Sequence, residues 1–301
     1  MLTNSFTVPK YFIPFIGITL LGICFGFLGS EQAQNTLSIL GILSIGILHG
    51  ANDLKIIAKK SSQQKKENSL PFFVLYIGVV FLGIAVFYFI PAIALLCFVL
   101  VSCYHFGEQH WNKRFRNRSN PFIFFSLYGA LIFMMLFALQ YEATVKIIFQ
   151  ITAVDLPHSF FWLGSIISFF GFCLCAFMEK IPLKVILMEF LLLGLLALLF
   201  LYSNLLFGFG LYFVLWHSFP SLQSQIQYIY GSEIKNSTLQ YIKSALWYWM
   251  LALLGLFLFY SYVNLPQEYL LSLFFSFLAA ITFPHALVMG LMFQSKESNA
   301  G

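Results

Sequence analysis

Four histidines stand where the chain should be apolar. His49, His105, His217 and His285 each lie inside a hydrophobic run, and an ionisable group at bilayer depth is costly enough that a chain keeping one generally has a use for it. The densest stretch is Tyr104-His105-Phe106-Gly107-Glu108-Gln109-His110-Trp111, at the end of a run that begins at Pro91. Neutral imidazole is the commonest protein ligand for metals, and a group of imidazoles needs no compensating carboxylates once a divalent cation sits among them. With no thiolate in the set, iron, zinc and copper are all compatible. A ferrous centre with an open position would activate dioxygen, and burial would suit a substrate that lives in lipid. The paired His-x-x-x-His and His-x-x-His-His motifs of membrane di-iron desaturases do not occur.

The elements that must position these residues follow from composition. Hydrophobic residues make up 60% of 301 and charged residues 9%, which excludes a water-soluble domain and predicts an all-α, polytopic membrane protein. The net charge of +5 comes from basic residues in short loops, so it is not a nucleic-acid signature. All five cysteines lie inside apolar runs, which argues against a disulfide framework or a Cys-ligated zinc. Spans are expected at 11–28, 36–57, 71–90, 91–111, 121–140, 158–178, 182–202, 204–222, 244–263 and 267–293. That makes ten, with tight hairpins at Phe89/Pro91 and Tyr202/Asn204 and interfacial helices within 141–157 and 223–243.

Orientation follows the basic residues. Lys10, Lys55, Lys59, Lys60, Lys65, Lys66, Lys113, Arg114, Arg116, Arg118, Lys180, Lys184, Lys235, Lys243 and Lys296 fall on one side of a ten-span frame, and Lys146 on the other. Both termini are therefore expected in the cytoplasm, with residues 1–301 forming one multi-pass domain of the cell (inner) membrane.

On that frame the four histidines lie on even-numbered spans, all running inward, roughly 9–17 Å from the inner polar boundary by the helical rise. Four rings at one level on four helices can converge, and metal binding is the reading this favours over four separate packing contacts. His110, five residues past His105, turns away and reads as interfacial; His158, on the outer side, reads as a cap or anchor for its helix. Asp53 and Glu108 are one helical turn past His49 and His105, spaced to orient a ring or a water, or else to pair with nearby basic residues. Glu189 lies deep in its span, but no histidine shares that segment. Gly50 and Gly107 follow histidines directly and Gly290 comes five after His285, suiting close approach of a helix or ligand; Pro220 and Pro284 loosen the helices beside His217 and His285.

Together, His49-Gly50-Ala51-Asn52-Asp53, Tyr104-His105-Phe106-Gly107, Tyr212-Phe213-Val214-Leu215-Trp216-His217-Ser218 and Phe283-Pro284-His285 resemble, in order and separation, the four signature blocks of the Brp/Blh family of membrane β-carotene dioxygenases. The resemblance covers about 40–293. It implies a non-haem Fe(2+) enzyme that cleaves the central double bond of β-carotene with O2 to give two all-trans-retinal, which would supply a microbial rhodopsin. Carried over by position, the ligands are His49, His105 and His217, and the depth argument adds His285. The third block departs from the family's His-Ser-x-x-His, because Ser221 stands where a second histidine is expected. Asp53, Glu108 and Ser221 are then candidates to act around the ligands.

Three other readings use the same residues. One is an oxygenase of this family acting on another carotenoid or an apocarotenoid, decided by tunnel shape. Another is a haem or electron-transfer protein with histidine pairs as axial ligands, which a Soret band would reveal. The third is a proton-relaying transporter, disfavoured by the lack of an internal repeat and of further acids inside spans.

Overall fold

The computed structural model describes residues 11–63, 70–114, 121–231, 236–262 and 266–298. Within them every regular element is helical, and no strand occurs. In a bilayer each backbone polar group must be satisfied internally, and helices achieve this with no partner segment.

Helix α1 (Phe12–Leu28) is followed by α2 (Glu31–Gly41), whose start is capped by Ser30 Oγ accepting from Ala33 N at 3.3 Å. Then come α3 (Asp53–Gln63), α4 (Leu70–Phe89), α5 (Pro91–Trp111), α6 (Pro121–Leu139) and α7 (Tyr141–Thr152). The second half holds α8 (His158–Met178), α9 (Leu183–Tyr202), α10 (Leu205–Tyr212), α11 (Phe219–Tyr230), α12 (Ser237–Tyr262) and α13 (Leu270–Ser298). Pro91 opens α5, where its missing N–H costs nothing. Asn204 Oδ1 caps α10 by accepting from Phe207 N at 2.8 Å. These two devices make the tight α4–α5 and α9–α10 junctions that the sequence predicts.

Seven described helical stretches are long and apolar enough to cross a membrane, and two shorter apolar helices, Phe12–Leu28 and Val74–Phe89, accompany them. The chain is a polytopic helical membrane protein. Three expectations need correction. Span 36–57 is not a continuous helix: α2 passes into a π-helical segment, Ile42–Gly46, and the backbone then turns at His49–Asn52 before α3 begins. Span 204–222 is longer than expected, because α10 runs through a second π-helical segment, Phe213–Ser218, into α11 and reaches Tyr230. An interfacial helix over 223–243 is therefore absent among the described residues, its two ends belonging to α11 and α12, whereas the expected helix in 141–157 is present as α7. Lys10, Lys65, Lys66, Arg116, Arg118 and Lys235 of the orientation argument lie outside the described residues.

Packing is tightest where side chains vanish. A Cβ on Gly107 of α5 would stand 1.9 Å from Phe125 O, and one on Gly129 of α6 would stand 1.8 Å from Cys103 O. The two backbones therefore touch, as small residues allow between membrane helices, and His105 is held two residues from that contact. The aromatic core around this pair includes Phe106, Phe124, Phe133, Phe172 and Tyr212. Helix α12 lies at the rim, with Trp247, Met250, Leu254 and Phe257 exposed for lipid to cover.

Candidate functional site

The fold brings His49, His105, His217 and His285 together. All four are buried, at 1–5% exposure. Their rings form a closed four-sided figure: centroids are 4.6 Å apart for His49–His285, 5.2 Å for His285–His105, 4.8 Å for His105–His217 and 5.4 Å for His217–His49. Each neighbouring pair meets edge to face, at interplanar angles of 77–87°.

Irregular helix delivers two of the four. His217 sits inside the π-helical segment Phe213–Ser218, and His49 begins the turn that follows the other π-helical segment. Such segments concentrate at functional sites because the extra residue per turn re-aims side chains. The two segments pack on each other through Gly46, where a Cβ would lie 2.7 Å from Phe213 Cε1. His285 follows Pro284 inside α13. His105 rides on regular α5, positioned by the Gly107 contact.

The hydrogen bonds leave a nitrogen over on each ring. His49 Nδ1 bonds the Gly46 carbonyl, and His49 Nε2 has no partner. His285 Nδ1 meets both Asp53 oxygens, at 2.9 and 3.1 Å, and His285 Nε2 has no partner. Both nitrogens of His105 and Nδ1 of His217 are likewise unpaired. A buried polar atom without a partner costs about 1–3 kcal/mol, so this arrangement is expensive unless something occupies the gap between the rings.

A metal ion fits the donor set. An imidazole bound at about 2.1 Å has its ring centre roughly 3.2 Å from the metal, so neighbouring rings on one four-coordinate ion stand roughly 4.5–5.3 Å apart. Three of the four observed distances, 4.6, 4.8 and 5.2 Å, fall in that range, and His49–His217, at 5.4 Å, lies just beyond it. Among the described residues no group of three or more His, Cys, Asp or Glu side chains is arranged, as folded, to hold a metal ion. The spacing is right, and bringing the nitrogens to bear requires ring rotation about the side-chain bonds. Carboxylate and carbonyl contacts to the far nitrogen are the usual means of fixing a ligand imidazole, and Asp53 and Gly46 make them here.

Asp53 differs in partner from the spacing argument. The turn at 49–52 breaks the helix, so Asp53 does not share a face with His49 and reaches His285 instead, 232 residues away. Tyr76 Oη also donates to it, at 3.4 Å. Glu108 is engaged by Tyr104 Oη at 2.8 Å on its own helix. Ser221 is fully buried in a chain behind the site: Gln225 Nε2 donates to Ser221 Oγ at 3.1 Å, and Tyr241 Oη lies 2.8 Å from Gln225 Oε1 and 3.1 Å from His49 O. Asn52 Nδ2 donates to Tyr241 O at 3.1 Å and Ser244 Oγ to Asn52 Oδ1 at 2.9 Å. Tyr241, Gln225 and Asn52 thus brace the turn that carries His49. Of these only Asn52 lay within a recognisable motif.

Two further histidines stay outside the cluster. His158 Nε2 lies 2.9 Å from Ala138 O and 3.0 Å from Trp162 Nε1, anchoring the start of α8. His110 reaches across the bundle: its Nε2 lies 2.9 Å from Glu189 Oε2, where Tyr128 Oη donates at 2.8 Å, while Arg114 binds the other oxygen. Glu189 has no histidine on its own helix but meets one across the bundle. Gly50 is in ordinary contact with His285, and Gly290 faces open space.

A cavity of about 350 Å³ holds the four rings. Its far wall comprises Tyr76 and Ile77 of α4 with Tyr248 and Leu251 of α12, and the latter two are 40% and 48% exposed. The lining thus reaches side chains on the surface of the bundle.

A helical membrane protein with a buried four-histidine site is the class that this geometry defines. The family model described as beta-carotene 15,15'-dioxygenase matches residues 40–293, and the chain belongs to that family. It is also 26% identical over 265 residues to a beta-carotene 15,15'-dioxygenase of uncultured marine bacterium 66A03, covering 85% of this chain and 93% of that relative. No solved structure matches.

Proposed function

We propose that this protein is a carotenoid-cleaving dioxygenase of the cell membrane whose four histidines hold a ferrous ion and whose substrate is β-carotene. One central carbon–carbon double bond is replaced by two carbonyls that take up both atoms of one dioxygen, giving two all-trans-retinal. The observation that carries the reading is the four-sided figure of buried imidazoles, each with at least one nitrogen that has no hydrogen-bond partner. A ferrous ion bound there supplies redox activation of dioxygen rather than a hydroxide nucleophile.

The rest is done by the chain. Asp53 holds the His285 ring with Nε2 turned away from it, and the Gly46 carbonyl does the same for His49. Phe106 stacks on His217 at 3.8 Å and 12°, which fixes that ring and walls the cavity with hydrocarbon. Water is excluded by this lining, and a lipid-dissolved polyene enters between α4 and α12 without crossing an aqueous phase. Both termini face the cytoplasm, and the retinal leaves into lipid, where a microbial rhodopsin can take it up.

The test is expression in cells that accumulate β-carotene, with pigment chromatography and metal analysis of the purified protein. Retinal and about one iron per chain are expected. Retained carotenoid with no aldehyde product, from a correctly inserted protein, would overturn the substrate; a Soret band would overturn the non-haem site.

A further inference from the structure

A second cavity, of about 310 Å³, is separate from the histidine cavity and shares no lining residue with it. Its walls are hydrocarbon apart from Thr144 and Thr152, and the Thr152 hydroxyl is occupied by Ile148 O at 2.7 Å. Nothing in the reading above uses it.

Three elements line both cavities, in the same order. Helix α5 gives Phe98 and Val99 to this cavity and His105 and Phe106 to the histidine cavity; the α10 run gives Phe209, then Phe213 and His217; α13 gives Phe275, then Leu278 and Thr282. On α5 the offset is seven residues, about 10 Å along the helix axis and returning to the same face. The cavities are therefore stacked along shared helix faces. What separates them is two pairs of rings, with one ring of each pair facing each cavity: Phe133 against Phe106 at 5.0 Å, and Phe209 against Phe213 at 5.4 Å and 12°. Joining the two cavities needs the Phe133 and Phe209 rings to turn aside, because Phe106 and Phe213 stack on His217.

We infer that the two cavities are the two ends of one channel for a rod-shaped apolar polyene, the second cavity holding the half that lies beyond the Phe133–Phe106 and Phe209–Phe213 pairs. The cavity thereby sets which bond reaches the histidines. This rests on the proposed carotenoid cleavage.

The test fills the second cavity in the full-length protein, by Leu95→Trp and, more gently, Ile148→Phe; both side chains line it and neither lines the histidine cavity. Two substrates are compared, a full-length symmetrical polyene and one truncated on one side of the same double bond. Leu95→Trp is expected to slow cleavage of the full-length polyene at least about tenfold while leaving the truncated one within about twofold, with Ile148→Phe between. Undiminished cleavage of the full-length polyene overturns the inference, as does an equal loss of both substrates in both variants, since filling would then act on the site and not on ligand length. If the wild type cleaves neither, it is the proposed function that fails, and bound-polyene absorbance decides the channel: weaker binding of only the full-length polyene in Leu95→Trp supports it, and unchanged binding overturns it.

Discussion

Two buried polar clusters sit inside this bundle, and they differ in what they leave over. Around Glu189, both carboxylate oxygens are matched: Arg114 on one, Tyr128 and His110 on the other, with the Arg114 guanidinium 5.2 Å over the Trp111 ring. Around the four histidines, each ring keeps an unmatched nitrogen. With both Glu189 oxygens matched, the first is closed and ties α5, α6 and α9 together. An open one is incomplete as folded, and burial in hydrocarbon makes that incompleteness costly. On the proposed reading the first serves stability and the second ligand binding.

The comparison breaks most visibly if the roles can be exchanged by mutation. His217→Ala removes one ring from the open cluster, so retinal formation and iron content are expected to fall to background while the melting temperature in detergent moves by only a few degrees. Glu189→Ala should do the opposite. Removing one partner of a buried charged cluster strands the other and costs about 3–5 kcal/mol, so folded yield and melting temperature drop. The fraction that does fold should still carry iron at the wild-type ratio. Iron lost in step with His217→Ala levels from a folded Glu189→Ala protein would erase the distinction.

Much of this frame is legible in the hydropathy. The edges of α4, α5, α6, α8 and α9 fall within one residue of the expected spans, because long apolar runs bounded by Pro91, Pro121 and Pro182 leave little choice. The breaks are not legible. A π-helical segment changes hydrogen-bond register without changing composition, so Ile42–Gly46 and Phe213–Ser218 read as ordinary span. The α11 extension is hidden for a different reason: past the expected end at 222, Ser224 and Gln225 look like loop, yet both are fully buried, and Gln225 bonds Ser221 and Tyr241. Depth along the helices groups the four histidines correctly. Partners across the bundle cannot be read that way, and hence Asp53 was expected near His49 and meets His285, while His110 was expected at the interface and meets Glu189.

Asp53→Asn sharpens the comparison at intermediate size. The amide keeps an acceptor for His285 Nδ1 but loses the charge that raises the basicity of Nε2, and outer partners of ligand imidazoles are commonly worth 10–100-fold in metal affinity or activity. Iron affinity is expected to fall within that range, measured by competition with a chelator, with the melting temperature of the metal-free protein little changed. An unchanged affinity would make the Asp53–His285 pair a packing contact like those around Glu189, and would move the open cluster a step toward the closed one.

The smallest effect concerns the brace behind His49. Tyr241→Phe removes a hydroxyl that lies 3.1 Å from His49 O and 2.8 Å from Gln225 Oε1, and a hydrogen bond of this kind is worth about 0.5–1.5 kcal/mol. If the hydroxyl serves only the fold, that loss appears in the melting temperature and nowhere else. If it holds the 48–52 turn so that His49 points at the other three rings, iron affinity also falls severalfold, and Ser221→Ala, one link further along the same chain of hydrogen bonds, falls less. The graded order matters more than either size, because a structural role predicts no relation between distance from His49 and iron affinity. A fall that shrinks from Tyr241 to Ser221 would place this polar chain with the open cluster, as the support that lets an irregular turn aim a ligand inside a membrane.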